Sequence, residues 1–175
     1  MKQDVLIVVD MQNDFIDGAL GSPEAQAIVA PIKDKLERFV GAVYFTRDTH
    51  EVNYLNTQEG KHLPVEHCIR GTHGWEICDA LTPYTKGATV IDKPTFGSLA
   101  LPQALSKDGE EAPKSITLVG LCTDICVISN AMLLKASFPE AEITVDAACC
   151  AGVTPKSHQN ALEAMQMCQI HIENA

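Results

Sequence analysis

Three short segments carry residue types that together could perform acyl transfer. Asp10 closes the apolar run of VVDMQNDF, Lys93 follows another in IDKPTFGS, and Cys126 lies within VGLCTDICV. A thiol, a base and a cation are what chemistry through a thioester requires. Each residue alone has a plainer reading: Cys126 as a buried packing residue, Asp10 as a turn or cap residue, Lys93 as surface charge. Cys122 is a rival nucleophile on the same segment, although its backbone N–H is better placed than its thiol to serve an oxyanion. A helix starting near Thr123-Asp124 puts Cys126 in its first turn. Free N–H groups and the helix dipole would lower the thiol's pKa there and hold the oxyanion of a tetrahedral intermediate.

A second group of polar residues follows in Asp48-Thr49-His50, Glu59 and His67. An Asp-x-His pair at a strand end offers two ligands side by side. The wider spacing is not that of a tight zinc motif, so a polar loop of caps and turns is the plainer reading. His62 and His73 compete with Glu59 for a place in any such site.

These residues need elements to position them. Short apolar, β-branched runs predict strands at 4–10, 42–46, 88–92, 115–120, 142–145 and 168–172. Helices are predicted over 24–40, 99–106, 124–137 and 155–167, with a short one over 75–81. Ser22-Pro23 and Thr154-Pro155 are helix starts, and Pro31 should kink the first helix or delay its start. Alternation of strand and helix predicts an α/β fold: three layers, α-β-α, around a six-stranded parallel sheet, in a single domain over residues 1–175. Ligands bind such sheets at the carboxyl ends of the strands. Asp10, Arg47-Asp48, Asp92-Lys93, Cys122 and Asp146 end the predicted strands and should converge on one edge.

Composition narrows the function classes. Hydrophobic residues make up 46% of the 175 and charged residues 21%, with a net charge of −10. That charge argues against a nucleic-acid partner, which needs a basic face. Only Lys2 precedes the apolar run 5–9, which ends in Asp10, so it does not read as a signal peptide, and no segment approaches a membrane span. The cytoplasm is the expected compartment, and the seven cysteines are expected to be reduced thiols.

VVDMQNDF, IDKPTFGS and VGLCTDICV, in this order and spacing, resemble the signatures of the isochorismatase-like cysteine hydrolases. The resemblance covers nearly the whole chain and implies residue roles. Cys126 would attack a carbonyl, Asp10 would take its proton and pass it to the leaving amine, and Lys93 would hold Asp10. The N–H groups of Cys122 and Cys126 would form the oxyanion hole, with a cis peptide at Leu121–Cys122. In the nicotinamidase branch an Asp-x-His pair and two further residues bind a divalent metal. Here these would be Asp48, His50, Glu59 and His67, a set suiting Zn²⁺, Mn²⁺ or Fe²⁺. Phe15 stands where the family places a ring-stacking aromatic. One departure is clear: Leu63-Pro64-Val65-Glu66 occupies the stretch that usually carries a second aromatic. The resemblance implies hydrolysis of a small amide, nicotinamide first, with a carbamoyl or ureido amidase, an isochorismatase or a non-catalytic relative as alternatives. It also implies a homo-oligomer.

Overall fold

Val5 to Val9 form an uninterrupted apolar run because the strand they make is covered on both faces. In the computed structural model, which describes residues 4–106 and 112–175, this is β1 (Asp4–Val9). Lys2, weighed above as a leader residue, lies outside the described residues. The sheet is completed by β2 (Ala42–Asp48), β3 (Thr89–Lys93), β4 (Ser115–Leu121), β5 (Glu142–Ala151) and β6 (His171–Glu173). All pairings are parallel, in the order β3-β2-β1-β4-β5-β6. The chain winds outward from β1 in one direction and from β4 in the other, so the connections leaving β1 and β4 diverge and open a crevice between them.

The helices are α1 (Asn13–Ile16), α2 (Pro23–Ala27), α3 (Val29–Arg38), α4 (Gln58–His62), α5 (Ala100–Leu105), α6 (Ile128–Ser137) and α7 (Pro155–Met167). Alternate residues of β1 enter two cores. Leu6 and Val8 pack with Ile28, Ile32 and Leu36 of the α2–α3 region, while Val5, Ile7 and Val9 pack with Leu101, Ala131, Leu134 and Leu162 of α5, α6 and α7. This is the three-layer arrangement expected from the sequence. Among the described residues no helix is long and apolar enough to cross a membrane.

Several boundaries differ from expectation. The helix predicted over 24–40 breaks at Ile28, and Pro31 sits in the first turn of α3, where its missing N–H costs no hydrogen bond. No helix forms over 75–81: a 3-10 turn spans His73–Trp75, and Ile77 is drawn into an antiparallel bridge with Gln12. The fifth strand continues past Val145 to Ala151, with a register shift opposite Leu118 and Gly120. Asp146 therefore does not end a strand at the site. It accepts an ion pair from Lys35 of α3 at 2.7 Å and a hydrogen bond from Asn174 at 3.0 Å. The sixth strand begins only at His171.

At the β1–β4 seam, Val9 pairs with Gly120, whose φ is +115°. A Cβ at that position would lie 2.1 Å from the Val9 carbonyl oxygen. Only glycine allows the two strands to approach so closely with this backbone.

Candidate active site

β1 and β3 deliver Asp10 and Lys93 to the same buried point. Asp10 leaves β1 with φ +49° and donates its backbone N–H to Thr46 O at 3.2 Å. Its Oδ1 accepts from the Thr46 hydroxyl at 2.7 Å, and its Oδ2 lies 2.6 Å from Lys93 Nζ. Beyond that ion contact, Oδ2 has no hydrogen-bond partner among the described residues. Both side chains are 0% exposed. An ammonium so deep is tolerable only because it is paired. Lys93 Nζ also reaches Thr95 O at 3.2 Å, Asp48 Oδ1 at 3.4 Å and Cys126 Sγ at 3.4 Å. Burial works against its charge, but Asp10, Cys126 and Asp48 outweigh burial and hold Lys93 above its ordinary pKa.

Cys126 occupies a π-helical turn, Thr123–Val127, between β4 and α6. The Leu121–Cys122 peptide before it is cis, as the resemblance implied. The expected depression of the thiol's pKa does not hold. Burial pushes Cys126 well above its ordinary value, Asp10 adds to this, and only Lys93 opposes. Burial thus favours the neutral thiol, with the Asp10 carboxyl close by. Burial likewise raises Asp10, against the pull of Lys93. A buried base of raised pKa beside a neutral thiol is suited to taking that proton as the thiol attacks. The rival Cys122 is pushed up to about 12 by burial, with the acids Asp124 and Asp10 adding to the effect.

A short distance away, β2 and the loop after it gather Asp48, His50, Glu59 and His67, whose ligand atoms all lie within 4.8 Å of one another. His50 Nε2 is 3.0 Å from Asp48 Oδ2 and 3.5 Å from Glu59 Oε1; His67 Nε2 is 3.6 Å from Asp48 Oδ2. His67 Nδ1 lies 2.8 Å from Val65 O, which as acceptor fixes a proton on Nδ1 and turns Nε2 toward the group. Burial opposes the charge on Asp48, but the two histidines hold its carboxyl well below the usual range. Two imidazole nitrogens and two carboxylates converging in this way fit a divalent transition metal. His73 does not join them; it lies beside Asn13 and Glu76. His62 lines the adjoining cavity, its Nδ1 2.9 Å from Gln58 O.

That cavity, about 500 Å³, is where the two groups meet. Cys122, Cys126, Asp48, Glu59 and His67 line it, with Phe15, Leu63 and Phe96 among its apolar walls. The Phe15 and His67 ring centroids are 5.5 Å apart. Among the described residues no Lys or Arg lines it.

Several positioning residues escaped the sequence reading. Gln12, fully buried, grips the Asp48 backbone from both sides: its Oε1 accepts from Asp48 N at 2.7 Å and its Nε2 donates to Asp48 O at 2.8 Å. Thr46 orients Asp10. Asn130 of α6 donates to Cys126 O at 2.8 Å. The available signal was polarity out of place. Asn130 stands in a helix among Ala131, Leu134 and other apolar residues, and a buried amide must find partners.

A parallel α/β sheet carrying a buried carboxylate, ammonium and thiol at its carboxyl edge is the architecture of an isochorismatase-type hydrolase. The family model of the isochorismatase domain matches residues 4–175. The chain belongs to the isochorismatase family of hydrolases and resembles its nicotinamidase-like branch. It is 31% identical over 120 residues to the nicotinamidase of Saccharomyces cerevisiae, an alignment covering 50% of this chain and 55% of that protein. It is 31% identical over 137 residues to the secreted isochorismatase effector Isc1 of Verticillium dahliae, covering 74% of this chain and 64% of that one. The chain thus spans less than two thirds of either relative. Similar solved structures include the pyrazinamidase of Pyrococcus horikoshii in complex with zinc (TM-score 0.80, 26% identity, 97% of both chains). Another is the pyrazinamidase/nicotinamidase of Streptococcus mutans (TM-score 0.82, 26% identity, 97% of this chain and 99% of that one).

Proposed function

We propose that the protein is a cysteine amidohydrolase acting through a thioester, with nicotinamide as its substrate. The observation that carries this reading is the buried line from Asp10 to Lys93 at 2.6 Å and from Lys93 to Cys126 at 3.4 Å, against a cavity wall. The similarity to nicotinamidases and pyrazinamidases supports the choice of substrate.

Asp10 takes the Cys126 proton as the sulfur bonds to the amide carbon and the C=O pair moves to oxygen. The N–H groups of Cys122 and Cys126 hold that oxyanion. As the carbonyl reforms, Asp10 returns the proton to the amide nitrogen, the C–N bond breaks and ammonia leaves. Asp10 then deprotonates a water that attacks the thioester, and the sulfur leaves and is reprotonated, giving nicotinate. Lys93 stays charged throughout and favours the anionic form of Asp10 against the effect of burial. Asp48, His50, Glu59 and His67 would hold a divalent ion, which would supply an electron-pair acceptor for a heteroaromatic ring nitrogen. Phe15 offers its face to the ring.

The similarity to an isochorismatase effector favours a second reading, hydrolysis of a vinyl ether. The cavity weighs against it: isochorismate is a dicarboxylate, whereas the lining has Asp48 and Glu59 and no Lys or Arg among the described residues. The discriminating experiment is ammonia release from nicotinamide by protein of known metal content. Turnover that falls roughly 10³-fold or more in Cys126→Ala supports the proposal. Ammonia release unaffected by that change refutes the thioester route, and pyruvate release from isochorismate with no ammonia release from nicotinamide moves the protein to the second reading.

A further inference from the structure

Tyr54 is the bulkiest fully buried side chain among the described residues, yet it belongs to neither of the two cores that flank the sheet. It stands behind the metal-ligand group instead. Its ring centroid is 4.6 Å from that of His50 and 5.0 Å from that of His67, with the planes inclined at 53° and 78°.

The polar atoms of Tyr54 are tied to the segments that carry the other supports. Its hydroxyl donates to Leu63 O at 2.9 Å. Leu63 closes α4, whose first turn carries Glu59, and its own N–H donates to Glu59 O at 2.8 Å. Leu63 O also accepts from Val65 N at 2.8 Å, and Val65 O in turn lies 2.8 Å from His67 Nδ1. At the other end of α4, the Tyr54 carbonyl oxygen accepts from Thr57 N at 2.9 Å and from the Thr57 hydroxyl at 2.7 Å. Thr57 caps the helix, its Oγ1 accepting from Gly60 N at 3.0 Å. A Cβ on Gly60 would lie 2.2 Å from the Tyr54 carbonyl oxygen, so helix and tyrosine meet backbone to backbone. A helix of five residues has too few hydrogen bonds to hold its own place, so the placing of Glu59 comes from these ties. A buried phenol must find an acceptor. The one it finds is the carbonyl where the end of α4 and the Val65 turn converge.

We propose that Tyr54 is the positioning residue of the metal-ligand group. Its ring sets the two imidazoles, and its hydroxyl, through Leu63 O, sets Glu59 and the anchor of His67, so that the ligands are presented together. This rests on the metal part of the amidohydrolase reading and names the side chain that governs affinity for the ion.

Zinc affinity of the whole chain, measured by competition with a chromophoric chelator, tests this without substrate or turnover. Tyr54→Phe keeps the ring and loses only the hydroxyl; it should weaken zinc binding about tenfold, as for other supports of metal ligands. Tyr54→Leu removes the ring contacts as well and should weaken it about 100-fold. In a Glu59→Gln background the carboxylate that the hydroxyl places is gone, and Tyr54→Phe should there cost less than about threefold. A hydroxyl with a merely structural role would lower the melting temperature of the metal-free protein and leave zinc affinity alone. Unchanged affinity in Tyr54→Phe, or a full tenfold loss in both backgrounds, overturns the proposal. Absence of zinc binding by the parent overturns it together with the metal assignment. The expected pattern of zinc affinities, with no turnover of nicotinamide, upholds the proposal and counts against the substrate reading alone.

Discussion

Asn130→Asp is nearly isosteric and inverts what the side chain can offer. The retained Oδ1 still accepts from Ser98 N. The other oxygen replaces an Nδ2 that donates to Cys126 O at 2.8 Å and Phe96 O at 3.2 Å. Ionised, it faces two carbonyl oxygens in a site 0% exposed, so the folded protein keeps the carboxyl protonated, donating to one of them. The folded-state pKa then lies above the unfolded value of about 3.9, the native state binds more protons, and stability falls as pH rises. The loss of one hydrogen bond costs about 1 kcal/mol at any pH. Linkage adds about 1.4 kcal/mol per pH unit above about 3.9 until the folded pKa is passed. The variant should be less stable than wild type by about 3 kcal/mol at pH 5.5 and about 5 kcal/mol at pH 7, the latter comparable to the whole stability of a small domain. Urea unfolding of both proteins between pH 5.5 and 8, followed by the fluorescence of the single Trp75, gives the difference directly. A difference that is flat with pH, or below about 1 kcal/mol at pH 7, would falsify the assignment of Asn130 as donor to both carbonyls.

Two further perturbations probe the surroundings. Gln12→Leu removes both hydrogen bonds that grip the Asp48 backbone. Zinc affinity, measured by competition with a chelator, should drop about 10- to 100-fold, as for other supports of metal ligands; unchanged affinity would show that Asp48 holds its place without the clamp. Asp146→Asn breaks the ion pair joining α3 to β5 and should cost about 1–3 kcal/mol near pH 7. Burial opposes the charge of Asp146, but Lys35 and Asn174 hold its pKa below the ordinary value. Its contribution is therefore complete above about pH 3.9 and is lost as pH falls through the lower folded value, so acid melts of variant and wild type should converge. Curves that stay parallel would show that the pair is not the source of the difference.

The parts of this fold that were legible share a physical cause. Buried parallel strands must be apolar throughout, so β1 and β4 announce themselves, and the charged residues that end β1 and β3 stand out against them. The polar end of such a run placed Asp10 and Lys93 at the ends of their strands, where the structure has them. It failed for Asp146, because a charge within a strand can be satisfied laterally, here by Lys35. β5 was cut short for the same reason and because Ala147 to Ala151 are small residues with weak strand preference. Gln58–His62 makes a helix too short to show apolar periodicity. The acidity of Cys126 was misjudged because local sequence reports the turn and not the burial, which is summed over Asp10, Lys93 and the whole surrounding core. Phe96 and Asn130 were invisible as a pair, since 34 residues separate two groups that meet only after folding.

The seam between β1 and β4 sets a limit on how this site can change. Asp10 follows Val9, and the Cys126 turn follows Leu121, so the gap between base and thiol is gauged by how near Val9 and Gly120 can come. That nearness depends on an atom that is not there, the Cβ of residue 120. Even Ala at position 120 would force the strands apart at the root of the site and shift Asp10 relative to the Cys126 turn. Loops around the cavity mouth are free to exchange one wall for another and so to change what is recognised. The proposed chemistry is bound to a position whose tolerance for substitution is close to zero.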